Sequence, residues 1–228
     1  MNFLSHHLVA VAHGGGDQPA EFYIGNVLPD LVSTSGEGRL RAPGGLGIDP
    51  LLDGITLHMD TDRRFHGAPA FADARALAKS LLLAVPFAVP PRRTFFLVHA
   101  AVEIALDGWL LRDGLTLADD FYARFAAADL PGIVAKTAAL LRLGGPPLAL
   151  ARTIDRFVES RYLYHYAEPD GQAEALVRLC RRIGIDDFAA GSADRGRLDG
   201  FFGDLMRVLA PLADPLLLRD STGGRVVK

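Results

Sequence analysis

Two segments of the sequence each carry three residues of metal-binding types at intervals of four. In the first segment, HMDTDRRFH, these residues are His58, Asp62 and His66. Residues four apart are neighbours on one face of a helix, and imidazole and carboxylate groups bind ions such as Zn, Fe or Mn. The spacing therefore predicts a metal-binding face. Six of the nine residues are charged or titratable, so an exposed polar face is an equally good interpretation of this segment alone.

The second segment carries His99, Glu103 and Asp107 inside the strongly apolar stretch FFLVHAAVEIALDGWLL. Burying such groups without a partner costs on the order of several kcal/mol each, so we expect them to be paired or to bind a cation. A cation shared by the two segments would offset that cost. The alternative that the residues leave open is a buried hydrogen-bond network without a metal.

Two further titratable residues have apolar neighbours. Asp30 follows Pro29 in GNVLPDLV, where it is either a metal ligand or the cap of a short helix. His6 lies in NFLSHHLVA, where a lone histidine is more often a hydrogen-bonded core residue than a ligand. His7 and His13 are interpreted as ordinary surface or turn residues.

Helical periodicity dominates the chain and strand-like alternation is scarce, which predicts an all-α fold. We expect a single compact multi-helix domain over residues 1–228, with about nine or ten helices. Residues 34–53 are rich in glycine and proline, which predicts a flexible loop. The predicted helices cover approximately residues 2–12, 19–33, 50–66, 68–84, 92–112, 116–127, 130–143, 147–166, 171–184 and 193–212.

The bulk composition argues against several classes of protein. A net charge of −3 and a pI of about 6.1 give no support for a nucleic-acid-binding surface. Cys180 is the single cysteine, so an internal disulfide is impossible and a reducing cytoplasm is expected. The apolar N-terminal segment has no basic region before it, which argues against a signal peptide. The apolar stretch 94–111 approaches membrane-spanning length, but its three titratable residues favour a buried helix, and no membrane partner is expected.

Several of these motifs occur in an order that resembles the acyl carrier protein phosphodiesterase family. The opening Asn-Phe-Leu-x-His is followed by Gly-Asn-x-Leu-x-Asp, then by Gly-Ile-x-x-His with an Asp four residues later, and then by an acidic central helix. A weaker similarity continues in YLYHY at 162–166. The matching positions are His6, Gly25, Asn26, Leu28, Asp30, Gly54, Ile55, His58 and Asp62.

The resemblance implies a helical fold related to the HD-type metal phosphohydrolases. It also implies hydrolysis of the phosphodiester that joins 4′-phosphopantetheine to a serine of acyl carrier protein, with a divalent metal such as manganese. Carried over by position, His6, Asp30, His58 and Asp62 would belong to the metal and catalytic shell.

The chain departs from the family pattern in its central helix. The family has an Asp there and, four residues later, an Asp-His pair, whereas this chain has His99, Glu103 and Ile104. His66 occupies a position where the family tends to have Asp, and residues 34–53 are longer than the family loop. The ligand set is therefore rearranged relative to the family's, and the sequence leaves the metal and the substrate open.

These observations lead to the hypothesis of an enzyme, a cytoplasmic metal-dependent phosphoric ester hydrolase acting on acyl carrier protein or on a small phosphoester. The cofactor would be one or two divalent ions, of Mn, Fe, Zn or Mg. The alternative is a non-catalytic helical protein that binds a carrier protein or small ligand. The oligomeric state stays open.

Each candidate residue receives a role in this hypothesis. The catalytic residues would be Asp30, Asp62 and Glu103, and the phosphate-binding residues would be Arg63, Arg64, Arg161 and His165. Asp107 would belong to the metal site as a partner that orients a ligand histidine. The candidate metal-binding residues are His6, Asp30, His58, Asp62, His66, His99, Glu103 and Asp107.

Overall fold

Helices account for all the regular secondary structure in the described residues, which are 1–41, 49–185, 188 and 193–217 of a computed structural model. No strand occurs in these ranges, so the prediction of an all-α fold is confirmed. The described ranges hold twelve α-helices, somewhat more than predicted. The helices are α1 Phe3–Gly14, α2 Ala20–Gly25, α3 Leu28–Ser35, α4 Pro50–Gly67, α5 Pro69–Ala84, α6 Thr94–Leu110, α7 Thr116–Ala127, α8 Leu130–Leu141, α9 Leu148–Ser160, α10 Pro169–Arg182, α11 Ala193–Leu209 and α12 Ala213–Leu216.

Two predicted helices are interrupted in the structure. The helix expected over 19–33 divides into α2 and α3, because Val27 takes a non-helical conformation ahead of Pro29, whose ring nitrogen cannot donate a helical hydrogen bond. The helix expected over 147–166 ends with α9, because Arg161 takes a left-handed conformation with φ of 46°. A 3-10 helix, Tyr162–Ala167, follows it.

The predicted loop over 34–53 begins later and ends earlier than expected, since α3 extends to Ser35 and α4 starts at Pro50. Its described ends make specific contacts. The Glu37 carboxylate accepts hydrogen bonds from the backbone N–H groups of Ala149 and Leu150 at 2.9 and 3.1 Å. Asp49 accepts a hydrogen bond from the Lys136 ammonium at 2.9 Å. Residues 42–48, the centre of the predicted flexible segment, lie outside the described ranges.

The described chain divides into two compact units. The first unit contains Met1, Phe3–Arg64 and Thr116–Tyr162, and so includes α1–α3, most of α4, and α7–α9. Its core is aromatic: the Phe157 ring lies 4.8 Å from Phe3 and 5.7 Å from Phe121 between ring centroids. The single domain expected over 1–228 stays a prediction, because a domain is a unit that folds by itself and contacts alone do not test folding.

The second unit contains Asn2, Phe65–Leu115 and the described residues from 163 onward. Its central element is α6, which packs against α5, α10 and α11 and is therefore buried along most of its length. Gly108 lets Gln172 of α10 and the backbone of Tyr166 approach α6 closely. A Cβ at this position would overlap the side chain of Gln172 and the carbonyl oxygen of Tyr166. Within the described residues, no helix has the length and apolar character needed to traverse a bilayer.

Candidate metal centres

Two glycines set the distance between α2 and α4, the helix that carries His58. A Cβ on Gly25 of α2 would overlap the carbonyl oxygen of Leu51, and a Cβ on Gly54 of α4 would overlap that of Phe22. The two backbones are so close that the Cβ position of Gly54 lies 3.0 Å from Cα of Gly25. Glycine at both positions therefore brings the end of α2, with Asn26, directly against α4, which carries His58.

The first unit brings together His6 from α1, Asp30 from α3 and His58 from α4, which we call the first triad. One ligand atom of each lies within 4.8 Å of the others. His6 and His58 are buried, whereas the Asp30 side chain is 35% exposed, so solvent reaches the group from the side of the carboxylate. All three residues come from separate helices, and all three were predicted as ligands.

The orientation of His58 is set by the backbone. Its Nδ1 lies 2.9 Å from the carbonyl oxygen of Asn26, which can only accept a hydrogen bond, so Nδ1 carries the proton. In the neutral imidazole the lone pair then lies on Nε2, which is 3.9 Å from Oδ1 of Asp30. In histidines that bind metal, the ring nitrogen that does not bind the ion typically donates such a hydrogen bond to a backbone carbonyl or a carboxylate.

The imidazole of His6 is fully buried and stacks on that of His58, with ring centroids 4.0 Å apart. Neither of its ring nitrogens makes a hydrogen bond within the described residues. Burial, with a smaller contribution from neighbouring His58, lowers the pKa of His6 to about 4. His6 is therefore neutral at physiological pH. A buried imidazole that makes no hydrogen bond to the described part of the chain, with a carboxylate oxygen of Asp62 3.5 Å from its Nε2, is an arrangement that normally requires an explanation.

Asp62 lies next to the first triad on α4. Its Oδ1 is 3.5 Å from Nε2 of His6 and 2.7 Å from the amino group of Met1. Burial opposes ionisation of this carboxyl, but the interactions with His6 and with the Met1 amino group outweigh it and hold the pKa of Asp62 well below its usual range. Asp62 is thus an anion that faces His6.

The second unit brings together His66, His99 and Glu103, which we call the second triad. Nε2 of His66 and Nε2 of His99 lie 3.0 and 3.1 Å from the same oxygen, Oε1 of Glu103. Burial opposes ionisation of Glu103, yet nearby positive charge, with smaller contributions from the hydrogen bonds of both histidines, keeps its pKa well below its usual range. The side chains of the two histidines are about one-third exposed, at 33% and 32%, so this triad is open to solvent.

Six of the eight predicted ligands thus lie in two groups of three, one in each unit, and Asp62 lies beside the first group. The hypothesis of an ion shared by the two segments stays a prediction. Asp107 is completely buried on α6, one turn after Glu103, and is not a member of either triad within the described residues. Its role in orienting a ligand also stays a prediction.

The residues predicted to contact phosphate are distributed over both units. Arg63 and Arg64 are exposed on α4, where Arg63 pairs with Asp60 at 2.8 Å. Arg161 follows α9, with its guanidinium 5.3 Å from the ring centre of Tyr122. His165 is exposed on the 3-10 helix of the second unit. Phosphate contact by these side chains stays a prediction.

The interpretation of His7 as a surface residue is wrong. His7 is buried, and its Nε2 lies 2.7 Å from Oδ2 of Asp120, which also accepts a hydrogen bond from Arg124. Burial lowers the pKa of His7 despite this carboxylate. The apolar residues on both sides of the His6-His7 pair were the sequence signal that could have predicted its burial. An amphipathic helix buries one face, whereas α1 is buried over more of its circumference, so both histidines point inward.

Compared with known proteins, the chain matches no family model, no curated protein and no solved structure at a significant level.

Proposed function

We propose that the protein is a metal-dependent phosphoric ester hydrolase whose catalytic centre is the first triad together with Asp62. The observation that carries the proposal is the convergence of His6, Asp30 and His58 from three helices, with the buried ring nitrogens of His6 lacking hydrogen bonds. The same positions carry the resemblance to the acyl carrier protein phosphodiesterase family. The phosphodiester of a carrier protein is accordingly the first substrate to test.

The residues of this site fit a divalent cation. His6 and His58 offer imidazole nitrogens, and Asp30 and Asp62 offer two carboxylates, whose combined charge would balance that of the ion. Mixed nitrogen and oxygen donors suit Mn, Fe or Zn better than Mg, which prefers oxygen ligands. When bound, such an ion acts as a Lewis acid on the phosphoryl group and lowers the pKa of a coordinated water.

The chain's own residues have separate tasks in this proposal. The carbonyl oxygen of Asn26 holds the His58 ring in the tautomer whose Nε2 is an acceptor. Asp62 lies 3.5 Å from Nε2 of His6 and keeps a negative charge in the site at neutral pH. Asp30 has the most solvent-exposed side chain of the triad, so we assign to it acceptance of the proton from the attacking water.

Substrate binding would involve the basic residues that follow Asp62 on α4. Arg63 and Arg64 are exposed and can reach an anion outside the buried part of the site. Arg63 would exchange its contact with Asp60 for a contact with a phosphate oxygen. Breaking the ion pair with Asp60 costs little free energy, because both side chains are more than half exposed. We therefore expect these arginines to affect KM more than kcat.

The test is hydrolysis of bis-p-nitrophenyl phosphate and of the phosphopantetheine-bearing acyl carrier protein by the Mn²⁺-loaded protein, with release of phosphopantetheine followed by mass spectrometry. Asp30→Asn and His58→Asn should each reduce kcat by on the order of 100-fold or more. The matched control is His13→Gln, which alters an exposed histidine of α1. A metal-loaded wild-type protein that hydrolyses neither compound would refute the proposal.

A second candidate is a non-catalytic helical protein that binds a carrier protein or a small ligand. The observation in its favour is that Glu103 already accepts hydrogen bonds from both histidines of the second triad, so this polar group is satisfied as a structural network. The assays separate the two candidates: binding of the carrier protein without its hydrolysis, in the presence of metal, would favour the second.

A further inference from the structure

We propose that the second triad is a cation site in its own right, which binds one first-row divalent transition-metal ion of the Zn²⁺ type. The inference concerns a different unit and different residues from the proposed hydrolase centre, and it holds whether or not the protein is a hydrolase. Its ligands would be Nε2 of His66, Nε2 of His99 and a carboxylate oxygen of Glu103.

The three ligand atoms already converge on one point. Both Nε2 atoms approach the same carboxylate oxygen, at 3.0 and 3.1 Å. Ligands bound tetrahedrally to Zn²⁺ at about 2.0–2.1 Å are separated from one another by about 3.3–3.4 Å. An ion could therefore enter once each nitrogen–oxygen distance lengthens by a few tenths of an ångström and the two Nε2 atoms, which lie within 4.8 Å of each other, take up a similar separation. The protons on the two Nε2 atoms would move to Nδ1 or to solvent.

The ligands are held on well-packed elements. His99 and Glu103 lie one turn apart on α6, which is surrounded by α5, α10 and α11. The ring of Phe71 lies 5.1 Å from both the His66 and the His99 ring centroids and limits the rotation of each imidazole. Because the ligands are arranged before the ion arrives, little ordering entropy is left to oppose binding.

The donor set indicates the class of ion. Two imidazoles and one carboxylate are typical of Zn²⁺ and Fe²⁺ sites with an open coordination position, whereas Mg²⁺ and Ca²⁺ prefer oxygen ligands throughout. The Glu103 side chain is 18% exposed and the histidines more so, which leaves a path for the ion and space for a water ligand. We therefore expect Zn²⁺ to bind more tightly than Mg²⁺ here.

The decisive variant is Glu103→Gln. The glutamine Oε1 can still accept both histidine hydrogen bonds, so a purely structural network would survive the change, whereas a metal site would lose its anionic ligand. His99→Asn serves as the second variant, since the shorter side chain cannot carry a nitrogen to the position of Nε2. His58→Asn serves as the reference that alters the first triad only.

The measurement is calorimetric titration of chelator-treated full-length protein with Zn²⁺, together with metal analysis after dialysis. We expect one equivalent of Zn²⁺ to persist in His58→Asn, and the affinity of that equivalent to fall by at least about 100-fold when Glu103→Gln or His99→Asn is combined with His58→Asn. Circular dichroism of the metal-free variants checks that the helices are retained.

Three outcomes overturn the inference: no Zn²⁺ bound by His58→Asn, unchanged Zn²⁺ affinity when Glu103→Gln is added to His58→Asn, or Mg²⁺ bound as tightly as Zn²⁺. Failure of the proposed function is a different result. A protein that binds this ion and hydrolyses no phosphoester would contradict the hydrolase assignment while supporting the second cation site.

Discussion

The backbone carbonyl oxygen of Asn26 accepts a hydrogen bond from Nδ1 of His58, 2.9 Å away, and this single contact fixes which nitrogen of the histidine is available to a ligand. Asn26 also donates from its side chain to the carbonyl oxygen of His6 at 2.6 Å. One residue at the end of α2 therefore positions parts of both histidines of the first triad. The contact is possible because Gly25 and Gly54 let the two backbones meet.

Replacements of His58 should separate the role of Nδ1 from that of Nε2. In His58→Asn the amide nitrogen takes the place of Nδ1 and can still donate to Asn26, whereas His58→Gln places its amide nearer the position of Nε2. Both variants should lose the ion of the first triad. We expect His58→Gln to be less stable by a further 1–3 kcal/mol or so, because the Asn26 carbonyl is left buried without its donor. Urea denaturation measures the difference, and equal stabilities would contradict this account of the contact.

Alanine in place of Gly54 should destabilise the first unit. The added Cβ would overlap the carbonyl oxygen of Phe22, which is backbone and cannot rotate away. Overpacking of this kind costs about 1–3 kcal/mol, more than the roughly 1 kcal/mol that alanine gains in helix propensity. The matched control on the same helix is Gly67→Ala, which has nothing within 4 Å of the new Cβ and should be neutral or slightly stabilising. Thermal melts that rank the two variants in the opposite order would refute the close-approach argument.

Stability of the metal-free protein should rise with pH between about 4 and 6.5. Burial lowers the pKa of His6 to about 4 from an ordinary value of 6.5, so the unfolded chain binds a proton in this range that the folded chain does not. The stability that neutral His6 contributes is fully present above the unfolded-state pKa of 6.5 and is lost as the pH falls to about 4. The free energy of unfolding should fall by about 3 kcal/mol over this range. Denaturation measured at several pH values in the presence of chelator tests this. His6→Gln should flatten the slope, whereas His13→Gln should leave it unchanged; equal slopes in all three proteins would contradict it.

Glu37 should contribute to stability as a cap of α9, although it lies more than 100 residues earlier in the sequence. Pro147 precedes α9 without a side-chain cap, and the Glu37 carboxylate accepts from the first N–H groups of that helix instead. Loss of this charged cap in Glu37→Ala should cost about 1–2 kcal/mol. The control is Glu159→Ala, which removes an exposed acid near the other end of α9 and should be neutral or stabilising. A cost of equal size in both variants would show that only net charge matters.

Much of the fold follows from local signals. The apolar periodicity predicts helices over 116–127 and 130–143, and α7 and α8 occupy nearly these ranges, because helix formation depends on residues three and four apart. The interruptions at Val27 and Arg161 escaped prediction, since a single non-helical residue inside an apolar pattern has little effect on the periodicity. The helix boundaries therefore required the coordinates.

The sequence by itself determined that the chain is helical and that its histidines and acids recur at intervals suited to metal binding. Only the tertiary structure decided how these residues are grouped. Spacing of four places His99 beside Glu103 on one helix, but it contains no information on which residue of another helix approaches them. Helix packing, set by close contacts such as the one between Gly25 and Gly54, brings His6, Asp30 and His58 together and turns His7 inward to Asp120.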